Sequence, residues 1–362
     1  MQFGTYTEIQ CPPGRDHAEL IQDVIRLAEH ADERGFDVFT TLEHPFFEKF
    51  AINPNPLALF CTLAQRTKNL RFRALCHTLP LHNPMILAGE IAEADILTGG
   101  RLECGIGRGH AWLNEPANIV MEENQERYVE ALDILLKAWT EERFSYHGKY
   151  YTVDDLSVVP KPLQKPHPKI FQVGTSLKWF ERAAKSGWGV CVGGPAPSFV
   201  FKEAADFYLD ACAKAGTEPT LGYIKAIYVD EDESRAHAEA ESAVRNFVDF
   251  NVSPMDSLAR STPEEKQRLT DAGYAFYAAD DFPALRNLSY RELIDAGIVF
   301  VGTPEKVGQQ LLELQAEFGF QELIIMSYYG GIERWKAMRT QELFAKHIMP
   351  KLRAEARRSE AA

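Results

Sequence analysis

The chain has 362 residues, of which 45% are hydrophobic and 25% charged, with a formal net charge of −13. This is an ordinary globular composition, long for one average domain but not for an α/β barrel. The acidic balance argues against nucleic acid or an anionic membrane as partner, and no apolar run approaches the ~18 residues of a membrane span. Six scattered cysteines, none in a CxxC pair, read as buried thiols of a reducing compartment. The first residues lack a basic region followed by an apolar one, so a cytoplasmic location is expected.

Residues 3–7 read as a first strand, and 17–34 as a helix with apolar positions at helical spacing, ended by Gly35. A second strand is expected over 37–42, with Glu43-His44-Pro45 at its end. Helix 54–68, strand 70–78, helix 84–97 and strand 102–106 follow, and a long helix covers 121–142. Residues 144–159 alternate and carry His147-Gly148 at a turn, which predicts a hairpin, with a proline-stiffened return to 168. Strands 169–173, 189–192, 221–229 and 322–326 are each followed by a helix, the last closing near Pro350. Residues 1–350 thus read as one (β/α)8 TIM barrel with loop insertions near 144–168 and 251–297, followed by a polar, frayed C-terminal tail over 351–362.

The C-terminal strand ends of such a barrel carry its site. Four features fall there: Glu43-His44, Cys76-His77-Thr78, Gly107-Arg108-Gly109-His110, and Gly174-Thr175-Ser176. Arg108 and the Thr175/Ser176 turn follow neighbouring strands and together suit a phosphate, with guanidinium donors on one side and hydroxyls at a helix start on the other. His44 is the candidate acid–base group. Glu43, His77, His110 and Tyr328 are candidate pocket residues, and segment 251–297, with Tyr274, Phe276 and Tyr277, is the candidate lid. No HExxH motif is present and no HxH pair follows the first strand, so no metal is expected. The GxGxG at 105–109 has its third glycine misplaced for a dinucleotide fingerprint.

The order of motifs resembles the bacterial luciferase-like flavin-dependent monooxygenases and oxidoreductases. The resemblance rests on MQFGTY at the start, GFD and LEH at 35–44, RALCHTLPLHNP over 71–84, GGRLECGIGRG over 99–109, FQVGTS over 171–176, GTPEKV over 302–307, and the late strand ELIIM. It implies an FMNH2-dependent two-component monooxygenase, fed by a separate NAD(P)H:flavin reductase, that oxygenates a small organic substrate with O2 through a C4a-peroxyflavin. By the same resemblance Arg108, Gly174, Thr175 and Ser176 would seat the FMN phosphate, Ala74-Leu75 would lie against the ring system beside a non-proline cis peptide, and His44 would be catalytic. A homodimer is also implied. Two departures stand out. Pro45 replaces a second histidine, and Gly107 stands where luciferases carry a reactive cysteine, while strand alternation puts Cys104 on the opposite face. Luciferase-type aldehyde chemistry is therefore not implied. An F420-dependent hydride-transfer oxidoreductase and a flavin-binding, non-catalytic subunit are the alternative readings.

Overall fold

The structure is a computed structural model that describes residues 1–361, with side chains to residue 358. In chain order its strands are β1 (Gln2–Thr7), β2 (Val38–Thr41), β3 (Arg71–Ala74), β4 (His77–Thr78), β5 (Leu102–Gly107), β6 (Phe144–His147), β7 (Thr152–Leu156), β8 (Ile170–Val173), β9 (Gly189–Gly193), β10 (Leu221–Val229), β11 (Val299–Gly302) and β12 (Glu322–Met326). Among the described residues, eight parallel strands close a ring in the order β1, β2, β3, β5, β8, β9, β10, β12 and back to β1. Helices cover the outside. That of residues 17–33 is typical: Asp16 caps it through the Glu19 N–H, and Leu20, Val24, Ala28 and Ala31 face inward.

Several expected boundaries move for local reasons. Asn55 caps a shorter helix, Pro56–Ala64, with proline at its first position. The third strand is broken: Leu75-Cys76 is a cis peptide between β3 and β4. Val299–Gly302 is a strand that the sequence reading passed over; it pairs with Ala226–Val229, the upper half of β10, outside the ring of eight. The 144–159 hairpin is present as antiparallel β6 and β7. The tail departs most. The closing helix does not end at Pro350 but continues through a wide turn (Phe344–Ile348) into helix Met349–Ala361, with Ile348, Met349 and Leu352 buried. Proline lacks the N–H that an α-turn would use, and the wide turn just before it absorbs that irregularity.

The lower half of the barrel interior is ionic. Arg73 is fully buried and its guanidinium lies 3.4 Å from the centre of the Phe171 ring. It donates to Glu103 (2.8 Å from Nε) and to Glu322 (2.6 Å from Nη1), and Arg71 donates to Glu103 at 2.7 Å. The two arginines hold the Glu103 carboxyl below its ordinary range against the opposing effect of burial. Arg73→Met should cost about 3–5 kcal/mol in urea unfolding, because two buried carboxylates lose their partner. Adding Glu322→Leu should recover much of that loss, since Glu103 keeps Arg71; no recovery would mean that Arg73 acts through packing alone.

Candidate active site

Loop 42–53 leaves β2 and is pinned by Asn53, which accepts from the His44 N–H at 2.8 Å through its carbonyl and donates to the Leu42 carbonyl at 3.0 Å. His44 is fully buried as a result, and its Nε2 accepts from the Trp112 indole N–H at 2.9 Å. Indole only donates, so the imidazole proton sits on Nδ1, a buried atom with no close hydrogen-bond partner among the described residues, although the Phe46 backbone favours the protonated ring. Burial first, and His110 second, hold the His44 pKa well below the ordinary histidine range. The ring is neutral at physiological pH.

Around it stands an aromatic wall. Phe50 lies 4.5 Å from His44, His110 stacks on Trp112 at 4.4 Å, and Tyr277 meets Trp112 edge-on at 5.1 Å. Burial pushes His110 down to about 4. Tyr277 belongs to segment 251–297, which lies over the strand ends as a run of short helices, the first opened by a capping box between Thr262 and Glu265. Arg108 holds this cover. Its guanidinium donates to the carbonyls of Ala272 (3.1 Å) and Gly273 (2.6 Å) and lies 4.5 Å from the Tyr274 ring centre. At the far end of the cover, buried Lys225 donates to the Gly297 carbonyl.

The floor is shaped by close backbone approach. A Cβ on Gly105 would fall 1.8 Å from the Ala74 carbonyl oxygen, and one on Gly107 would fall 2.4 Å from Cys76 Sγ. The sulfur beside Gly107 therefore comes from the break between β3 and β4 rather than from Cys104. Gly174, Thr175 and Ser176 are exposed at the start of helix Leu177–Lys185, and the Ser176 hydroxyl makes no capping bond. The Trp179 N–H is given to the Ser176 carbonyl at 3.0 Å, which leaves the N–H groups of Leu177 and Lys178 and two hydroxyls available to an anion.

The remaining candidates sit elsewhere. Glu43 is buried behind the floor, accepting from the Thr78 N–H at 2.9 Å and pairing with His82 at 2.6 Å; His77 lies 4.0 Å away. Tyr328 turns its hydroxyl to Asp23 of the first helix at 3.3 Å, in a groove of about 320 Å³ apart from the aromatic wall. The structure thus gathers His44 and His110 through Trp112, and ties Arg108 to the cover above them. Phe47, Phe50 and the Cys76–Gly107 contact were missed in the sequence, where no periodicity marks loop 42–53 and nothing shows which strand faces Gly107.

A family model for luciferase-like monooxygenases matches residues 1–322. The chain belongs to that family. It is accordingly an oxidoreductase. Among relatives of this luciferase-like chain, the FMNH(2)-dependent dimethylsulfone monooxygenase of Pseudomonas putida is 25% identical, over 91% of this chain and 87% of the relative. The F420-dependent glucose-6-phosphate dehydrogenase of Amycolatopsis mediterranei is also 25% identical, over 92% and 95%. The solved monooxygenase RslO1 of Streptomyces bottropensis shares the fold with a TM-score of 0.79 at 24% identity, over 97% of this chain and all of that one. Two cofactor classes therefore stand equally near this luciferase-like chain in sequence. No described helix is long and apolar enough to cross a membrane.

Two outcomes follow for the luciferase-like site. Arg108→Ala removes two charge-assisted bonds to the cover, so limited proteolysis within 260–280 should accelerate roughly tenfold or more; an unchanged cleavage rate would detach Arg108 from the cover. Burial holds His77 down to about 4, from an ordinary 6.5. Its folded pKa is depressed, so below pH 6.5 the unfolded chain takes up a proton that the native one refuses. Stability then falls by about 1.4 kcal/mol per pH unit on its account until the pH reaches its folded pKa. Urea unfolding of His77→Leu across that window should show a shallower fall than the parent.

Proposed function

We propose that this chain is the oxygenating component of an FMNH2-dependent two-component monooxygenase acting on a small apolar organic substrate. The observation that carries the reading is the aromatic cluster packed around a neutral, buried His44 beneath the 251–297 cover, an arrangement suited to keeping water from a reacting group. Reduced FMN, delivered by a separate NAD(P)H:flavin reductase, supplies the electrons that activate O2 when bound. The residues present suit it. Arg108, Thr175 and Ser176, with the Gly174 turn, would take the phosphate, and Ala74 and Leu75, which Gly105 and Gly107 allow to press close against β5, would lie against the ring system.

In this reading the Nε2 lone pair of His44 stays with the Trp112 indole N–H, and the Nδ1–H is the group that can donate to a substrate oxygen. Tyr277 and the 251–297 cover keep that exchange dry. Phosphate binding at Arg108 would replace the Ala272 and Gly273 carbonyls, which couples cofactor arrival to movement of the cover. The equal likeness to an F420-dependent dehydrogenase supports a second reading, hydride transfer with F420 on the same seat. A homodimer is supported by exposed apolar residues gathered on helix Pro84–Leu97 and the segment beside it, namely Ile86, Ile96, Leu97, Val159 and Leu163.

An anaerobic titration with FMNH2 and, separately, with reduced F420 tests the choice. Saturable FMNH2 binding followed by oxygen-dependent substrate turnover supports the monooxygenase; turnover with F420 that is indifferent to oxygen replaces it with hydride transfer. Arg108→Ala should weaken FMNH2 binding by about 1.5–3 kcal/mol. His44→Ala should leave binding intact and slow turnover by about 10²–10⁴-fold; normal turnover would remove His44 from the chemistry.

A further inference from the structure

The sequence shows no metal-ligand spacing, yet the fold brings three unlike donors to one point. Cys11, in the loop after β1, His17, the first residue of helix 17–33, and Glu48, in the loop after β2, place their ligand atoms within 4.8 Å of one another. His17 Nε2 lies 2.7 Å from Glu48 Oε1, and Cys11 Sγ lies 3.8 Å from the same oxygen. The two loops are fixed to each other by backbone, through the Cys11 N–H to the Glu48 carbonyl at 3.3 Å and the Ile52 N–H to the Ile9 carbonyl at 3.2 Å. Two of the three donors are therefore held side by side before any ion arrives.

We propose that Cys11, His17 and Glu48 form a zinc site with a fourth position open to solvent. The mixed thiolate, imidazole and carboxylate set suits a borderline-soft, tetrahedral cation. Tetrahedral bonds of the usual lengths put neighbouring donor atoms roughly 3.3–3.6 Å apart. Cys11 Sγ and Glu48 Oε1 already stand near that spacing, and His17 must withdraw from Glu48 by roughly half an ångström or more. Both can do so, since their side chains are 57% and 62% exposed, while Cys11 is buried at the base. Arg15, a cation whose charge reaches Cys11, is engaged with Asp23 at 2.7 Å. Coordination expels the thiol proton to solvent and replaces the His17–Glu48 hydrogen bond with two metal bonds, so thiolate and carboxylate balance the ion's two charges. Such a clasp would tie the loop after β1 to the loop bearing His44, Phe47 and Phe50.

The test uses the full chain, stripped with chelator and titrated with Co²⁺ as a spectroscopic stand-in and with Zn²⁺ by calorimetry. The expected result is one equivalent bound, with a thiolate-to-cobalt charge-transfer band and the intense visible bands of tetrahedral coordination, bleached by Zn²⁺. His17→Ala and Glu48→Gln alter exposed side chains and should each weaken binding about tenfold or more, while Cys11→Ser abolishes the charge-transfer band. Absence of that band in the parent overturns the proposal. So does a band that persists with undiminished affinity in both His17→Ala and Glu48→Gln, since that would place the metal on another thiol.

Discussion

A closed ring of eight strands encloses a fixed volume, and everything at its mouth depends on how that volume is filled. Here the lower half is filled by a guanidinium pressed on a phenyl ring and held by two carboxylates. Such a plug cannot slide, because each shift would strand a buried charge. The ring can therefore carry glycines in its upper half without collapsing, and the chain between β3 and β4 presses into the space they leave. The ionic lower half and the glycine-bearing upper half are two parts of one packing solution.

Above the floor, polarity is confined to points. His44 is neutral because it is buried, and its proton is placed by a donor that cannot accept. Arg108, the one permanent charge named at the mouth, is satisfied by two carbonyls of the cover. The cover is thus closed by a charge that a phosphate would also seek. In that sense the cover and an anionic ligand compete for one partner, and the strength of the first sets a cost for the second.

The barrel was legible because parallel strands buried on both faces read as short apolar runs, and each is followed by a helical period. Strand 221–229 was read to the residue for that reason. Val299–Gly302 escaped because four residues between a helix end and a Thr-Pro cap offer no period to count. The helix beyond Pro350 escaped because proline reads as a stop, whereas tertiary burial of Leu352 overrides it. At the site, Arg108 and His44 were visible as motif residues at strand ends. Their partners were not, since Trp112 and His44, or Gly273 and Arg108, meet only through the fold.

The cover also has a topological address. It departs from the end of helix Glu233–Val252, which follows β10, and it returns as β11, which pairs with β10 itself. Its return is fastened by the Gly302 carbonyl, which accepts from the Asp230 N–H at 3.2 Å, and by Glu233, which accepts from the Thr303 N–H at 3.0 Å. Entry and exit are thus anchored on one strand–helix unit, and the ring closes without the cover's help. The segment has the topology of a cassette: none of the pairings that set the register of the eight ring strands runs through it. Diversification of what the mouth accepts can proceed there while the floor, with its buried arginine, stays as it is.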